Sequence, residues 1–209
     1  GALIGLFRTD DGEFTKENAL MTTTSAEDGS FSFENIPCGT WYVREIEQPT
    51  GFVLDDTIYP VTIGADGQVV EIEIVNKYVL GNIHLTKVDS EYPDNKLTGA
   101  VFEVYKDSNN NSKLDEGDEL LGTLTEKEIG EYGMNDLFYG RYFVKETKAP
   151  DGFVLDTDVY EVVIDTDGKT YDVENKAGVG FINEVMRGNL KIVKTSSDGK
   201  VKGFAFRIT

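Results

Sequence analysis

The chain has 209 residues with 20 basic and 38 acidic side chains, which give a formal net charge of −18. Nucleic acids and anionic membrane surfaces attract proteins through patches of Lys and Arg, so this charge balance argues against both as partners. No apolar run reaches the roughly 18 residues that a membrane-spanning helix needs. One cysteine excludes an internal disulfide bond, and a hydrophobic content of 39% predicts packed cores rather than disorder.

The predicted elements are strands along the whole chain, and no segment keeps a helical period over three turns. Strand alternation is clearest, in chain order, in "WYVRE" (41–45), "VVEIEIVN" (69–76), "NIHLTK" (82–87), "RYFVKE" (141–146) and "YEVVID" (160–165). Asp-Gly pairs between such segments mark tight turns. Many short strands with frequent turns predict an all-β chain built as β-sandwiches.

The chain also repeats itself. "WYVREIEQPTGFVLD" (41–55) and "YFVKETKAPDGFVLD" (142–156) lie 101 positions apart and match at most positions. The repeating unit is roughly 100 residues long, which is a common domain size. We therefore predict a first repeat at 1–80 without its first strand, a complete second repeat at 81–187, and the first strands of a third repeat at 188–209.

Polar residues recur at the ends of the apolar stripes of these strands. Because alternate side chains of a strand share a face, Lys87 follows Ile83 and Leu85 on the inner side of its strand. The same reasoning places further polar residues on inner faces: Glu45, Glu146, Asn76, Asn183 and Lys194. Buried polar groups need partners, so we expect a Lys, a Glu and an Asn to meet inside one repeat.

A Lys–Glu–Asn cluster in an apolar core has a specific chemistry. Burial lowers the pKa of a lysine and raises that of a glutamic acid, so the amine becomes a neutral nucleophile. A protonated glutamic acid can polarise the Asn carbonyl and pass a proton to the departing ammonia. The predicted product is a Lys–Asn isopeptide bond that needs no cofactor. Asn183 is the favoured acceptor because it precedes Asn189 by six positions, as Asn76 precedes Asn82, and Asn175 is the alternative.

Three segments, "KLTGAVFEVY" (96–105), "KETKAPDGF" (145–153) and "FINEVMRGNLKIVKTSSDGK" (181–200), resemble the collagen-adhesin B-type repeats, also called SpaA-like pilin domains, of Gram-positive surface proteins. The resemblance implies tandem immunoglobulin-like sandwiches of reverse, prealbumin-like topology. It also implies a Lys87–Asn183 bond promoted by Glu146. In the first repeat, Glu45 and Asn76 would be the glutamate and the acceptor without their lysine. Lys194 would be the lysine of a third repeat.

An acidic loop, "DSNNNSKLDEGD" (107–118), suggests a cation site. Its spacing is that of an EF-hand loop, with a Ser at position 6 instead of Gly and an Asp at position 12 instead of Glu. We predict Ca²⁺ ligands from Asp107, Asn109, Asn111, Asp115 and Asp118, with the backbone carbonyl of Lys113.

These features predict a structural protein: an extracellular stalk or shaft segment of a cell-wall-anchored adhesin or pilin, and not an enzyme on external substrates. The alternative is an adhesin module that binds a host matrix protein or glycan. The partners of the chain would be the neighbouring repeats. In addition, the 188–209 strand would add to the first repeat of another copy, with a Lys194–Asn76 link.

Overall fold

The computed structural model describes residues 1–195, 197, 199, 201, 202, 205 and 207. In this part of the chain there are strands and no helices, as predicted. The first repeat contains β1 (Leu3–Phe7), β2 (Met21–Thr24), β3 (Gly39–Glu47) and β4 (Tyr59–Ile63). The second begins with β5 (Leu80–Asp89) and continues with β6 (Val101–Lys106), β7 (Glu119–Thr123), β8 (Thr125–Glu128), β9 (Glu131–Phe138), β10 (Gly140–Lys148), β11 (Val159–Ile164), β12 (Thr170–Asp172) and β13 (Phe181–Asn183).

The second repeat is a sandwich of two sheets. One sheet has the antiparallel order β11-β10-β6-β7, and the other has the order β12-β5-β9-β8. Apolar side chains from both sheets, among them Ile83, Leu85, Phe102, Val144 and Phe181, form the core between them. Strand alternation explains this packing, because the inward residues of β5 and β10 are the apolar ones.

Strand β5 is the centre of the second sheet. It pairs antiparallel with β9 along one edge, and parallel with β12 and β13 along the other. β12 lies against the first half of β5, and β13 lies against its end, where Phe181 is opposite Lys87. The last strand of the repeat therefore runs beside the first one.

Gly180 allows β13 to approach β5 closely. Its φ is +124°, and a Cβ at this position would lie 2.7 Å from the carbonyl oxygen of Thr86 in β5. A side chain would be strained there and would collide with backbone, so only glycine fits.

The first repeat has one regular sheet, with the order β2-β1-β3-β4. This order matches β7-β6-β10-β11 of the second repeat. In the described residues, no strand of the first repeat occupies the place that β5 has in the second. The predicted strand at 69–76 is wrong: this segment carries no strand, and Val69 is 82% exposed. Its alternation is that of a strand, but a strand needs a hydrogen-bonded neighbour.

A short connection joins the two repeats. The backbone N–H of Val79 donates to the Gly51 carbonyl at 2.9 Å, and the Tyr139 N–H donates to the Val79 carbonyl at 3.0 Å. The Tyr78 ring lies between the rings of Phe52 and Phe138, with centroids 4.7 and 5.2 Å away. Aromatic and backbone contacts thus hold the first repeat against the second.

The segment predicted as the start of a third repeat has no strand over 188–195. Leu190 and Ile192 are exposed there. Residues 196, 198, 200, 203, 204, 206, 208 and 209 lie outside the described residues, so the prediction for them is not addressed. Among the described residues there is no apolar helix of the length that a membrane span requires.

The difference between the repeats predicts a difference in amide hydrogen exchange. Amides of 31–36 and 69–76 should exchange fast because no strand ladder protects them, whereas those of β9 and β13, their counterparts in the second repeat, should exchange slowly. Exchange followed by mass spectrometry of peptides checks this expectation. Equal protection of 69–76 and β13 would contradict the one-sheet description of the first repeat.

Candidate functional site

Three polar side chains are buried in the core of the second repeat. Lys87 and Glu146 are 0% exposed and Asn183 is 2% exposed. Lys87 is on β5 and Asn183 on the adjacent β13, while Glu146 is on β10 of the opposite sheet. The alternation of β5 and β10 continues the apolar inner stripe into Lys87 and Glu146, so the fold places polar groups where apolar ones normally lie.

Hydrogen bonds connect Asn183 to Glu146. The Asn183 Nδ2 donates to Glu146 Oε2 at 2.9 Å, and the backbone N–H of Asp156 donates to the same oxygen at 2.8 Å. Lys87 Nζ donates to the carbonyl of Phe181 at 3.0 Å and that of Val88 at 3.5 Å. Two buried oxygens, Glu146 Oε1 and Asn183 Oδ1, have no hydrogen-bond partner among the described residues.

Burial changes the acid–base properties of this cluster. It lowers the pKa of Lys87 to about 8, although the charges of Glu146, Asp156 and Asp89 oppose the change. It raises the pKa of Glu146, against the hydrogen bonds from the Asp156 N–H and the Asn183 amide and the charge of Lys87. Both directions favour a neutral amine beside a neutral carboxylic acid.

The first repeat contains the Glu and Asn of the same arrangement. Glu45 is 1% exposed, and its Oε2 accepts from Asn76 Nδ2 and from the backbone N–H of Asp55, both at 2.7 Å. Its Oε1 is buried and, within the part of the chain that the structure describes, has no hydrogen-bond partner, as in Glu146. A groove of about 450 Å³ lies beside Asn76, lined by Ala2, Ile4, Phe31 and Ile74 among others. Among the described residues of this repeat, no lysine occupies the place of Lys87.

The two remaining predicted residues are placed elsewhere. Asn175 is half-buried, and its side chain bonds to the backbone of Ile182 and to Asp156, not to Glu146. Lys194 is outside the strands and donates to the carbonyl of Thr195 at 2.6 Å. The structure brings together Lys87, Glu146 and Asn183, and separately Glu45 and Asn76.

Sequence reasoning missed an acid–tyrosine pair that each repeat places beside its glutamate. Asp156 Oδ2 accepts from the Tyr160 hydroxyl at 2.7 Å, and Asp55 Oδ2 accepts from the Tyr59 hydroxyl at 2.6 Å. The signal was present in the sequence, because "FVLD" recurs with a tyrosine four positions after each aspartate.

The predicted calcium loop is the connection between β6 and β7. Its side-chain oxygens accept hydrogen bonds from N–H groups of the same loop. Asp107 accepts from the backbone N–H groups of Asn111 and Ser112, and Asp115 accepts from the side-chain amides of Asn109 and Asn111. Asp118 accepts from the N–H groups of Ser108 and Asp115. Ser112 replaces the usual glycine but adopts its conformation, with φ of 62°. Within the described residues, no group of three or more His, Cys, Asp or Glu side chains is placed to hold a metal ion, and calcium binding stays a proposal.

Calcium binding predicts a change in thermal stability. A ligand bound only by the folded chain stabilises it by about 2.7 kcal/mol at about 100 times its dissociation constant. Calcium should therefore raise the melting temperature relative to a chelator, and Asp115→Asn should remove the increase without affecting the core. A melting temperature that is the same in calcium and in chelator would contradict a site at 107–118.

A β-sandwich repeat with a buried Lys–Glu–Asn set, preceded by a repeat whose single sheet has the matching strand order, defines the class of this protein. A family model described as "SpaA: Prealbumin-like fold domain" matches residues 1–78 and 81–177. The chain belongs to this family of prealbumin-like domains, which confirms the resemblance and the fold inferred from the sequence. Among curated proteins, none matches the chain.

Solved structures of Gram-positive proteins are similar to this chain. The Bacillus anthracis TIE protein is 26% identical over 88% of this chain, with a TM-score of 0.69. The chain spans 31% of that protein. BcpA, the major pilin subunit of Bacillus cereus, is 26% identical over 73% of this chain and 41% of its own, with a TM-score of 0.37. GBS52, a minor pilin of Streptococcus agalactiae, is 20% identical over 93% of this chain and 87% of its own, with a TM-score of 0.39.

Proposed function

We propose that this chain is a structural segment of a Gram-positive cell-surface adhesin or pilus, stabilised by an autocatalytic isopeptide bond between Lys87 and Asn183. The observation that supports the bond most directly is the burial of these two side chains with Glu146 in one core. Membership of the SpaA family of prealbumin-like domains supports the surface role. The proposed location is extracellular, on the cell wall.

The surroundings of Lys87 favour nucleophilic attack. A charged ammonium in an apolar core is costly, and in the described part of the chain Lys87 forms no ion pair that would offset the cost. A pKa of about 8 makes its neutral form accessible near neutral pH. The lone pair of a neutral amine is then available to attack an amide carbon.

Glu146 supplies the proton transfers. Its Oε2 accepts a hydrogen bond from the side-chain amide of Asn183. A proton on Oε1, which has no partner among the described residues, would make that oxygen a hydrogen-bond donor. Lys87 Nζ bonds to Asn183 Cγ, the Cγ–Nδ2 bond breaks, and one proton from the amine passes through the carboxyl group to the leaving nitrogen. The products are one amide and one ammonia, without oxidant, metal or cofactor.

The bond would join the first and the last strand of the repeat. β5 and β13 are parallel neighbours, so a link between them closes a loop of nearly the whole repeat. By analogy with a disulfide closing about 100 residues, it would stabilise the fold by about 4–5 kcal/mol through the unfolded chain. Force applied along the chain would then pass through a covalent bond, as a stalk requires.

Intact mass spectrometry tests the proposed bond. The wild-type chain should be lighter than its sequence by one ammonia, and Glu146→Ala and Asn183→Ala should each restore the full mass while the chain still folds. A wild type of full mass would contradict the function proposed for the cluster.

The alternative acceptor has its own test. Asn175→Ala should leave the ability to lose ammonia intact, because Asn175 bonds to Ile182 and Asp156 rather than to Glu146. Loss of ammonia that survives Asn183→Ala and disappears in Asn175→Ala would reassign the acceptor.

We further propose self-association through the groove beside Asn76. The segment 188–195, "GNLKIVKT", resembles β5 in the order of its apolar residues and its lysine. Added to the first repeat of a second copy, it would place Leu190 and Ile192, both exposed here, on the open apolar side. Lys194 would then lie near Asn76 and Glu45, where the same reaction, with loss of one ammonia, would link the copies.

Denaturing gels and light scattering check the association. Concentrated wild type should form a ladder of covalent oligomers, and Lys194→Ala and Asn76→Ala should each abolish it, whereas Lys191→Ala, on the opposite strand face, should not. A strictly monomeric chain at high concentration would contradict the association and leave the Lys87–Asn183 bond unaffected.

A further inference from the structure

Asn175 binds the backbone of β13 rather than the catalytic glutamate. Its Oδ1 accepts from the N–H of Ile182 at 2.7 Å, and its Nδ2 donates to the carbonyl of the same residue at 2.9 Å. Ile182 lies between Phe181, whose carbonyl receives Lys87, and Asn183. The side-chain amide of Asn175 therefore holds the β13 backbone at Ile182, between the carbonyl that Lys87 contacts and the acceptor Asn183.

Asp156 connects this support to the glutamate. Its Oδ2 accepts from Asn175 Nδ2 at 2.7 Å and from the Tyr160 hydroxyl at 2.7 Å, and its Oδ1 accepts from the N–H of Asp158 at 2.9 Å. Its own backbone N–H donates to Glu146 Oε2, the oxygen that also accepts from Asn183. Asp156 thus positions the Glu146 carboxyl group through its backbone and, through Asn175, the strand β13 that carries Asn183.

The first repeat has only half of this arrangement. Asp55 and Tyr59 are present, but Asn76 Nδ2 makes its second bond to the Val53 carbonyl at 3.0 Å. Asn183 follows Asp167 of its Asp-Gly turn by 16 positions, whereas Asn76 follows Asp66 by 10, so the second repeat has 6 extra residues. Asn175 lies in this insertion, whose ends are joined by a bridge between Lys176 and Gly180.

We propose that Asn175 and Asp156 are positioning residues for bond formation: Asn175 holds the β13 backbone beside Lys87, and Asp156 holds Asn175 and Glu146 together. Neither residue exchanges atoms with Lys87 or Asn183. This inference rests on the proposed Lys87–Asn183 bond and assigns to the alternative acceptor a different role in the same reaction.

The two residues affect the reaction in different ways. Asn175 is uncharged, so its effect on Lys87 and Asn183 is one of geometry. Asp156 carries a charge: burial opposes ionisation, but hydrogen bonds from Asn175, the Asp158 N–H and Tyr160 outweigh it and lower the pKa of Asp156. The charged groups that face the cluster are Asp156 and Asp89, and the Asp156 carboxylate raises the pKa values of both Glu146 and Lys87.

A bell-shaped dependence of the rate on pH follows for the wild type. The reactive pair, a neutral Lys87 and a protonated Glu146, holds one titratable proton fewer than the fully protonated pair and one more than the fully deprotonated pair. Its population is therefore largest between the pKa values of the pair and falls about tenfold per pH unit outside them. The upper limit is at about 8, the pKa of Lys87.

The experiment follows ammonia loss with time. Full-length chain is made in a short pulse of cell-free synthesis, samples are quenched in denaturant, and the fraction of chain that has lost ammonia is measured over a range of pH. Asn175→Ala should slow the reaction at least tenfold with the limits of the pH profile unchanged. Asp156→Asn should slow it and move both limits to lower pH, because a negative charge that favours protonation is gone.

Matched controls separate positioning from folding. Asn135→Ala and Asp151→Asn alter exposed residues and should leave the rate near that of the wild type. Asn175→Ala in a Lys87→Met background, which cannot react, gives the structural cost of the substitution as a shift in melting temperature. Asn175→Ala chains that are folded yet slow support the inference.

The outcomes distinguish the two proposals. A wild type that loses ammonia together with an Asn175→Ala variant that does so at the same rate, or an Asp156→Asn variant with an unmoved pH profile, would overturn the positioning roles alone. A wild type that never loses ammonia at any pH would overturn the bond itself and, with it, the positioning roles.

Discussion

The burial of a lysine amine next to a glutamic acid and an asparagine is the interaction on which this account depends. Lys87, Glu146 and Asn183 occupy positions that strand alternation assigns to the core, and together they replace apolar side chains there. A core that holds an ammonium without a close counter-ion carries a penalty of several kcal/mol, which a neutral pair largely avoids. Converting the pair into an amide would remove the ionisable amine altogether. The cluster is therefore costly as a set of free side chains and favourable as a bond.

The rest of the second repeat serves to bring these groups together. β5 and β13 are parallel neighbours in one sheet, and β10 presents Glu146 from the other, so the three polar side chains meet between layers that the apolar core already holds at a fixed separation. The first repeat illustrates the same dependence by contrast. With no described strand at the position of β5, its second layer has no ladder, although Glu45 and Asn76 keep the hydrogen bonds of their counterparts. The Glu45–Asn76 contact is thus present without a counterpart of β5. A second sheet is not present in the described part of the first repeat.

Much of this could be predicted from the sequence, because period-2 alternation depends only on local geometry and the repeat supplied a second reading of each position. It was sufficient to place Lys87, Glu146 and Asn183 on inner faces. The segment 69–76 shows where alternation fails: its pattern is that of a strand, but pairing is a property of two segments, and its neighbour is lacking among the described residues. The contact between Asp156 and Asn175 was also inaccessible, since it depends on the path of the 175–180 insertion. Asn175 has the same side chain as the acceptor Asn183. Its contacts with Ile182, which the sequence does not show, are what distinguish it from an acceptor.

Mapping the covalent connectivity of the folded chain decides whether the Lys87–Asn183 bond forms. A protease digest of the purified protein, sequenced by tandem mass spectrometry, would show whether the segment around Lys87 and the segment around Asn183 are released together. We expect one branched peptide in which the Lys87 side chain is acylated by that of Asn183, lighter by one ammonia than its two parts. Recovery of two separate linear peptides, with an unmodified Lys87 and an intact Asn183, would contradict it.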